Sequence, residues 1–240
     1  ELVLHDEPGA VLSAHALGGG VAAAAAAPPL KGFAMTLAAK RIAFWRAASD
    51  TSGATIGLQS TLVLGGASAS ASAPSFTCAA VSDDGEAPLI AVGGSEGAVW
   101  LARAAAHAAC GVKARALSEL QLHDVAVRHV AFHPTRADNL LAAVAADGHV
   151  TFSVVEDDGL RFVAFAQLAS ESGANARVVA LCWRAESDAV LLLTASGRLL
   201  EVGAPASGAV VAADEDAPEL RIASHGVVPV LTAASAASST

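Results

Sequence analysis

Basic residues are scarce and scattered. There are 14 Lys and Arg against 23 Asp and Glu, a formal net charge of −9, and only Arg103, Lys113 and Arg115 form even a loose group. Binding to DNA or RNA without regard to sequence needs a concentrated basic face that displaces counterions, so a nucleic-acid partner is not expected. Cysteine is also sparse: Cys78, Cys110 and Cys182 make an odd count with no CxxC pair. That excludes a disulfide framework and a cysteine zinc knuckle, and makes a reducing intracellular compartment the default. Cys78 and Cys182 lie in the apolar strings FTCAAV and VALCW, where a small buried thiol is the ordinary expectation. No apolar run approaches the roughly 20 residues that span a bilayer; VAAAAAAPPL at 21–30 stops at Pro28-Pro29. A membrane partner is therefore not expected, and ELVLHDEP at the start lacks the basic head and apolar centre of a signal peptide. The chain begins at Glu1 and its one methionine is Met35, so it reads as part of a longer polypeptide. Spacings across low-complexity stretches then count for less than local patterns.

What is abundant is apolar: 54% hydrophobic against 15% charged, the balance of a folded globular chain. Much of it is alanine, which favours helix in isolation. Periodicity points elsewhere. Apolar runs of four to seven residues, rich in Val, Phe, Ile and Trp and punctuated by Gly, Asp and Ser, are too short for helices and predict closely spaced strands.

These runs repeat. PLIAVGGSEGAVWLAR at 88–103, NLLAAVAADGHVTFSVV at 139–155 and AVLLLTASGRLLEVGA at 189–204 superimpose as strand, tight polar turn, strand. Their turn glycines, Gly97, Gly148 and Gly197, stand 51 and 49 residues apart. GFAMTLAAKRIAFWRA at 32–47 fits the same frame, with Lys40 in the place of glycine. A strand precedes each of the three (FTCAAVS at 76–82, VRHVAFHP at 127–134, RVVALCWR at 177–184), and LRFVAFAQLA at 160–169 supplies an outer strand. Four strands at a period near 50 is the arithmetic of a propeller blade. The expected fold is all-β: one propeller portion over 1–240 with about four blades, its hairpins at 32–47, 88–103, 139–155 and 189–204. The alanine run at 22–27 and ASASASAP at 67–74 read as loops or breaks in continuity, and 102–119 as a short helix or an inter-blade loop.

With those residues in place, the chain resembles the WD40 repeat. ADGHVTFSVV matches its hairpin at Asp147-Gly148, SEGAVWLA at Gly97 and Trp100, KRIAFWRA at Trp45, and HVAFHP its first strand with the following His-Pro. His5-Asp6 and His123-Asp124 fall near the histidine that precedes that strand. No copy has a complete Trp-Asp end, and Asp147 is the one turn aspartate in the aligned set. A narrower resemblance, carried by GFAMTLAAKRIAFWRAASD, LGG and FTCAAVSDDGEAPLIAVGGSEGAVWLA, is to WD-repeat proteins of cilia and flagella and of the echinoderm-microtubule-associated type. The resemblance implies a non-catalytic scaffold that docks other proteins of a multi-subunit assembly, in an axonemal, microtubule-associated setting or otherwise in the cytoplasm. A scaffold subunit of a transport, coat or nuclear-pore complex is the alternative.

Candidate sites have plainer readings beside them. GGSEG at 93–97 spells the G-x-S-x-G of a serine hydrolase, with Ser95 as nucleophile. That motif needs a strand-to-helix turn, whereas AVWLAR continues as a strand and the repeat puts Ala146 and Ala195 where Ser95 stands. His123, Asp124, His129 and His133 fall within eleven residues. His129 and His133 share one face of a strand but stand about 13 Å apart, too far to converge on zinc. His123 is expected to bond within its own blade. Glu156-Asp157-Asp158 and Asp214-Glu215-Asp216 read as solvated loop tips. No catalytic, cofactor or metal residue is assigned. Trp45, Trp100 and Trp183 are expected as packing aromatics; a tryptophan exposed on the propeller rim would be a docking anchor. Alternation predicts Val150 and Phe152 facing the core, with His149 and Thr151 on the other side or the rim.

Overall fold

The computed structural model describes 2–5, 11–15, 23–26, 33–38, 41–50, 53–63, 75–82, 87–107, 111–168, 177–184, 188–208 and 218–227. Every element among these residues is a strand or part of a strand connection. A two-stranded hairpin, β1 (Leu2–His5) with β2 (Val11–His15), comes first. Sheet I follows as β3 (Ala23–Ala26), β4 (Phe33–Ala38), β5 (Arg41–Asp50) and β6 (Gly53–Val63). Sheet II is β7 (Phe76–Val81), β8 (Leu89–Gly94), β9 (Ala98–His107) and β10 (Gly111–Gln121). Sheet III is β11 (Val127–Phe132), β12 (Leu141–Ala145), β13 (His149–Glu156) and β14 (Gly159–Gln167). Sheet IV is β15 (Val178–Trp183), β16 (Ala189–Thr194), β17 (Arg198–Gly203) and β18 (Ile222–Val227). In each sheet the strands lie side by side in chain order and are antiparallel.

The repeat is kept down to single hydrogen bonds. The β8–β9, β12–β13 and β16–β17 turns each end on a glycine with positive φ, 90° at Gly97, 88° at Gly148 and 82° at Gly197. Each glycine N–H donates to the carbonyl three residues back, of Gly94, Ala145 and Thr194. Two residues before each glycine, the N–H of Ser95, Ala146 and Ala195 donates, at 2.8 Å each time, to the residue just ahead of the first strand: Ser75, Ala126 and Arg177. A β-bulge opens the first pair in all three sheets, between Phe76 and Cys78, Val127 and His129, and Val178 and Ala180. The hairpins expected at 88–103, 139–155 and 189–204 are therefore equivalent, and each contains a turn that needs the left-handed conformation glycine adopts freely.

Neighbouring sheets meet face to face in three apolar seams. Leu37 and Ile42 of sheet I pack with Phe76, Ile90, Val92 and Trp100 of sheet II. Leu89, Ala91 and Leu101 of sheet II pack with Val127, Phe132 and Leu141 of sheet III. Ala142, Val150 and Phe152 of sheet III pack with Val178, Leu192 and Val202 of sheet IV. Phe152 and Val150 are fully buried, as alternation requires, and Phe152 lies edge-on to Trp183 at 6.1 Å. Burying each large side chain contributes about 1.5–3 kcal/mol. Polar threads cross the same seams. Thr77 Oγ1 donates to Val127 O, and 49 residues separate His129 Nε2 from its own acceptor, Val178 O, at 3.1 Å. Trp183 Nε1 donates back to Ala131 O at 3.1 Å. On the outer side, Arg103 and Arg115 of sheet II both reach Asp158, in the β13–β14 turn, at 2.8 and 2.9 Å. The approach to β18 runs along the edge of β14, where Phe165 N–H donates to Pro218 O and Leu220 N–H to Phe165 O.

Four expectations change. Residues 102–107 and 111–119 are neither helix nor loop: His107 pairs with Gly111 and Ala102 with Ala116 in the β9–β10 ladder. Alanine's helix preference is under 1 kcal/mol per residue, and burying Ala102, Ala104 and Val112 within a paired ladder outweighs it. The alanine run likewise supplies β3, paired with Ala34–Leu37. His5 does not precede a first strand, because it pairs with Val11 inside the β1–β2 ladder. Cys182 is exposed, not buried, because it lies on the face of sheet IV directed away from sheet III. Asp6, Pro28, Pro29, Lys40, Cys110, 67–74 and the cluster 214–216 lie outside the described residues.

Candidate functional site

One end of sheets II and III gathers the residues that sequence reasoning singled out. The β8–β9 turn brings Ser95, Glu96 and Gly97, the β12–β13 turn brings Asp147, and the 122–126 connection from β10 to β11 passes between them. This connection is fixed from both sides. Gly97 O accepts from Leu122 N–H at 3.3 Å and His123 N–H at 3.2 Å. Gln121 Nε2 donates to Glu96 O and to His123 O, both at 2.6 Å. A Cβ on Gly97 would lie 1.8 Å from His123 O, so the close approach itself depends on glycine.

His123 anchors the connection from within. Its ring is buried, with Nε2 3.1 Å from the hydroxyl of Thr151 on β13, in the sheet that β11 opens, which is the in-blade bond expected of it. Burial lowers its pKa to about 4, with Asp147 opposing, so the ring is neutral near pH 7. Thr151 stands three residues after its turn glycine, where Trp100 and Leu200 stand in the other sheets. A polar residue in that core position was the one sequence signal for this pair. Nothing in the sequence marked Gln121 or Val125.

What this anchoring presents to solvent is small and mixed. Val125, 36% exposed, is one of two exposed large hydrophobics among the described residues. Glu96, Asp124 and Asp147 are exposed on the same loop and the two turns. Val125 O lies within 3.0 Å of the Cβ position at Gly97, while Ala126 O accepts from Ala146 N–H, so the two turns and the loop are in direct contact. Asp147 is stiffened by its neighbour, accepting from His149 N–H at 3.1 Å and meeting His149 Nδ1 at 2.9 Å.

Ser95 lies in a strand-to-strand turn, not at a strand-to-helix elbow, and its Oγ accepts from Ser75 N–H at 3.0 Å. His129 and His133 both reach toward sheet IV, but at different points. His133 Nδ1 accepts from Thr135 and Arg136 N–H at 3.2 Å each, which leaves the ring proton on Nε2, 3.3 Å from Asp188. The four residues from His123 to His133 therefore do not converge. Among the described residues no group of three or more His, Cys, Asp or Glu is placed to hold a metal, and no helix is long and apolar enough to cross a membrane. Trp100 is buried against Phe76 at 5.3 Å, and Trp183 packs between sheets III and IV against His133 at 4.6 Å. Both are packing aromatics and neither is exposed, while the side chain of Trp45 lies outside what the structure describes.

No family model and no curated protein matches the chain. Solved structures do. A crystal structure of RRP9 WD40 repeats aligns with a TM-score of 0.51 at 18% identity, over 79% of this chain and 49% of that one. A structure of U3-55K aligns with a TM-score of 0.54 at 18% identity, over 79% and 50%. The chain thus spans about half the length of these structures. The repeated four-stranded sheets, their equivalent glycine turns and this alignment together show that the chain is all-β and has the WD40-repeat fold, as part of a propeller.

Proposed function

We propose that the protein is a non-catalytic scaffold that docks other proteins through the end of sheets II and III formed by 95–97, 122–126 and 146–149. The observation that carries this is an exposed apolar side chain, Val125, on a loop held by Gly97, Gln121 and the buried His123–Thr151 pair, with the exposed Glu96, Asp124 and Asp147 on that loop and the two turns it touches. A fixed apolar centre inside a charged rim is the anatomy of a protein interface and loses little entropy on binding. The three carboxylates favour a partner with basic residues around an apolar pocket, and disfavour nucleic acid. Ser95 serves as a turn residue in this reading, as Ala146 and Ala195 do.

The axonemal, microtubule-associated assignment is carried by the strand sequences alone, with a transport, coat or nuclear-pore scaffold as its alternative and the cytoplasm as the alternative location. Localisation and co-purification of the tagged full-length protein decide between them. For the docking surface the test is Val125→Asp. It is expected to weaken binding to a co-purifying partner at least about tenfold while leaving the melting temperature unchanged. Unchanged affinity would remove this loop from the interface.

A further inference from the structure

The loose basic group that stands out in the sequence becomes one surface in the fold. Arg103 on β9 is paired directly with Arg115 on β10, and Lys113 lies two residues away on the same strand. Leu101, two residues before Arg103, packs in the seam with sheet III, so alternation puts all three cations on that side of sheet II. One carboxylate serves them: Asp158 accepts from both arginines, while Glu156 beside it is taken up by Arg161. Nothing among the described residues pairs with Lys113, whose side chain is exposed. In a chain of net charge −9, the outer strand of sheet II is thus a basic rim.

That strand is also an open edge. β10 ends sheet II, and among the described residues it is hydrogen-bonded to β9 alone. Lys113, Arg115 and Ala116 are exposed along it, and a bulge between Ala116 and Ser118 breaks its regular pairing, which leaves 112–116 as the straight part of the edge. Sheet III shows what such an edge accepts. The approach to β18 lies against β14 as a short parallel strand, with Glu219 beside Phe165. Phe165 N–H donates to Pro218 O at 3.2 Å, and its carbonyl accepts from Leu220 N–H at 2.7 Å. An extended backbone therefore already occupies the outer edge of one sheet, and the outer edge of β10 has no such occupant among the described residues.

We propose that the outer edge of β10 at 112–116 takes an extended acidic segment of another protein by strand addition, as a docking surface separate from the loop end of sheets II and III. Main-chain hydrogen bonds supply the attachment in such a mode, and alternate side chains supply the choice of partner. Every second residue of the added strand stands beside Lys113 and Arg115, where carboxylates make opposite-charge cross-strand pairs. The residues between them face the sheet I side, where Val112 and Ala114 belong to an apolar seam, so apolar side chains fit there. The segment that suits the edge alternates acidic and apolar residues. Charged residues on an exposed strand commonly guard it against pairing. Here the guard is selective: a basic edge repels a second copy of itself and draws a strand of opposite charge. Glu119 lies beyond the bulge and outside the contact.

The test uses the full-length protein and a short fluorescent peptide alternating glutamate and valine, with binding followed by anisotropy. Lys113→Glu reverses an exposed, unpaired charge without touching the core, and is expected to weaken binding at least about tenfold. Backbone pairing is read on the peptide itself. A strand turns alternate amides toward an edge, so N-methylation of every second amide should abolish binding in one phase and leave it intact in the other. Equal effects of the two methylation phases would overturn the proposal by reducing the surface to a patch of charge. No binding of the peptide, or equal binding when lysine replaces glutamate in it, would overturn it as well. Tighter binding of a single-stranded RNA oligonucleotide than of the peptide would overturn it in favour of a nucleic-acid partner.

Discussion

Gly97 and Gly148 occupy the same turn in adjacent sheets, yet adding one methyl group to each should have very different consequences. Both have φ near +90°, so alanine at either position incurs the left-handed penalty of about 1–2 kcal/mol. At Gly148 the new Cβ would meet Leu168 Cβ at 3.2 Å and Cδ1 at 3.3 Å, a side chain that can give way. At Gly97 it would meet the His123 backbone, O at 1.8 Å and C at 2.5 Å. The 122–126 connection must then move, weakening the bonds from Leu122 and His123 N–H to Gly97 O and disturbing the His123–Thr151 contact. Overpacking of this kind adds about 1–3 kcal/mol. Gly148→Ala is therefore expected to cost about 1–2 kcal/mol and Gly97→Ala about 2–5 kcal/mol in urea denaturation. At about 2–4 °C per kcal/mol, thermal melts should fall by about 2–8 °C in the first case and by about 4–20 °C in the second. Only Gly97→Ala should also reduce docking at Val125. Equal losses in the two variants would refute the claim that loop 122–126 is seated directly on the Gly97 turn.

Phe152→Ala, which empties the middle of the seam between sheets III and IV, is expected to cost about 3–5 kcal/mol in chemical denaturation, and a loss under about 1 kcal/mol would place Phe152 outside the core. His123 gives the protein a defined acid sensitivity: because its folded pKa is lowered to about 4, its stabilising contribution is whole above the unfolded value of 6.5 and is lost as pH falls toward 4. The loss is on the order of 3 kcal/mol. A His123→Gln variant should show a flatter stability profile over that window, and an unchanged profile would assign the acid sensitivity elsewhere. Ser95→Ala removes an acceptor for Ser75 N–H in an exposed turn, so stability should drop by at most about 1 kcal/mol and partner binding should not change. A serine-dependent hydrolase activity abolished by that substitution would contradict the scaffold reading.

The fold was legible because it is written as a local pattern repeated three times. Gly97, Gly148 and Gly197 mark turns that only a left-handed residue closes comfortably, and the strands around them alternate with one phase. Alanine was where the sequence misled. Ala23–Ala26, 102–107 and 111–119 carry no side-chain periodicity of their own, so their strand state is imposed by the partners they pair with, Ala34–Leu37 in the first case and the two sides of the β9–β10 ladder in the others. The loop proposed for docking was hardly legible at all. Val125 is one apolar residue in LHDV, and its exposure comes with a loop held by Gln121, Gly97 and Thr151, which lie up to 28 residues away in sequence. Cys182 shows the same limit: VALCW resembles FTCAAV as a string, and only the position of its sheet separates an exposed thiol from Cys78, whose burial pushes its pKa up to about 11.

The central claim, that the protein works by docking through the loop end of sheets II and III, is tested most directly by carboxyl footprinting of the full-length protein, free and within its native assembly. Glu96, Asp124 and Asp147 should lose most of their labelling on assembly, while Glu119 and Asp157, exposed on β10 and in the β13–β14 turn, keep theirs. Unchanged labelling of those three carboxylates, with protection confined to Glu119 and Asp157, would contradict the account.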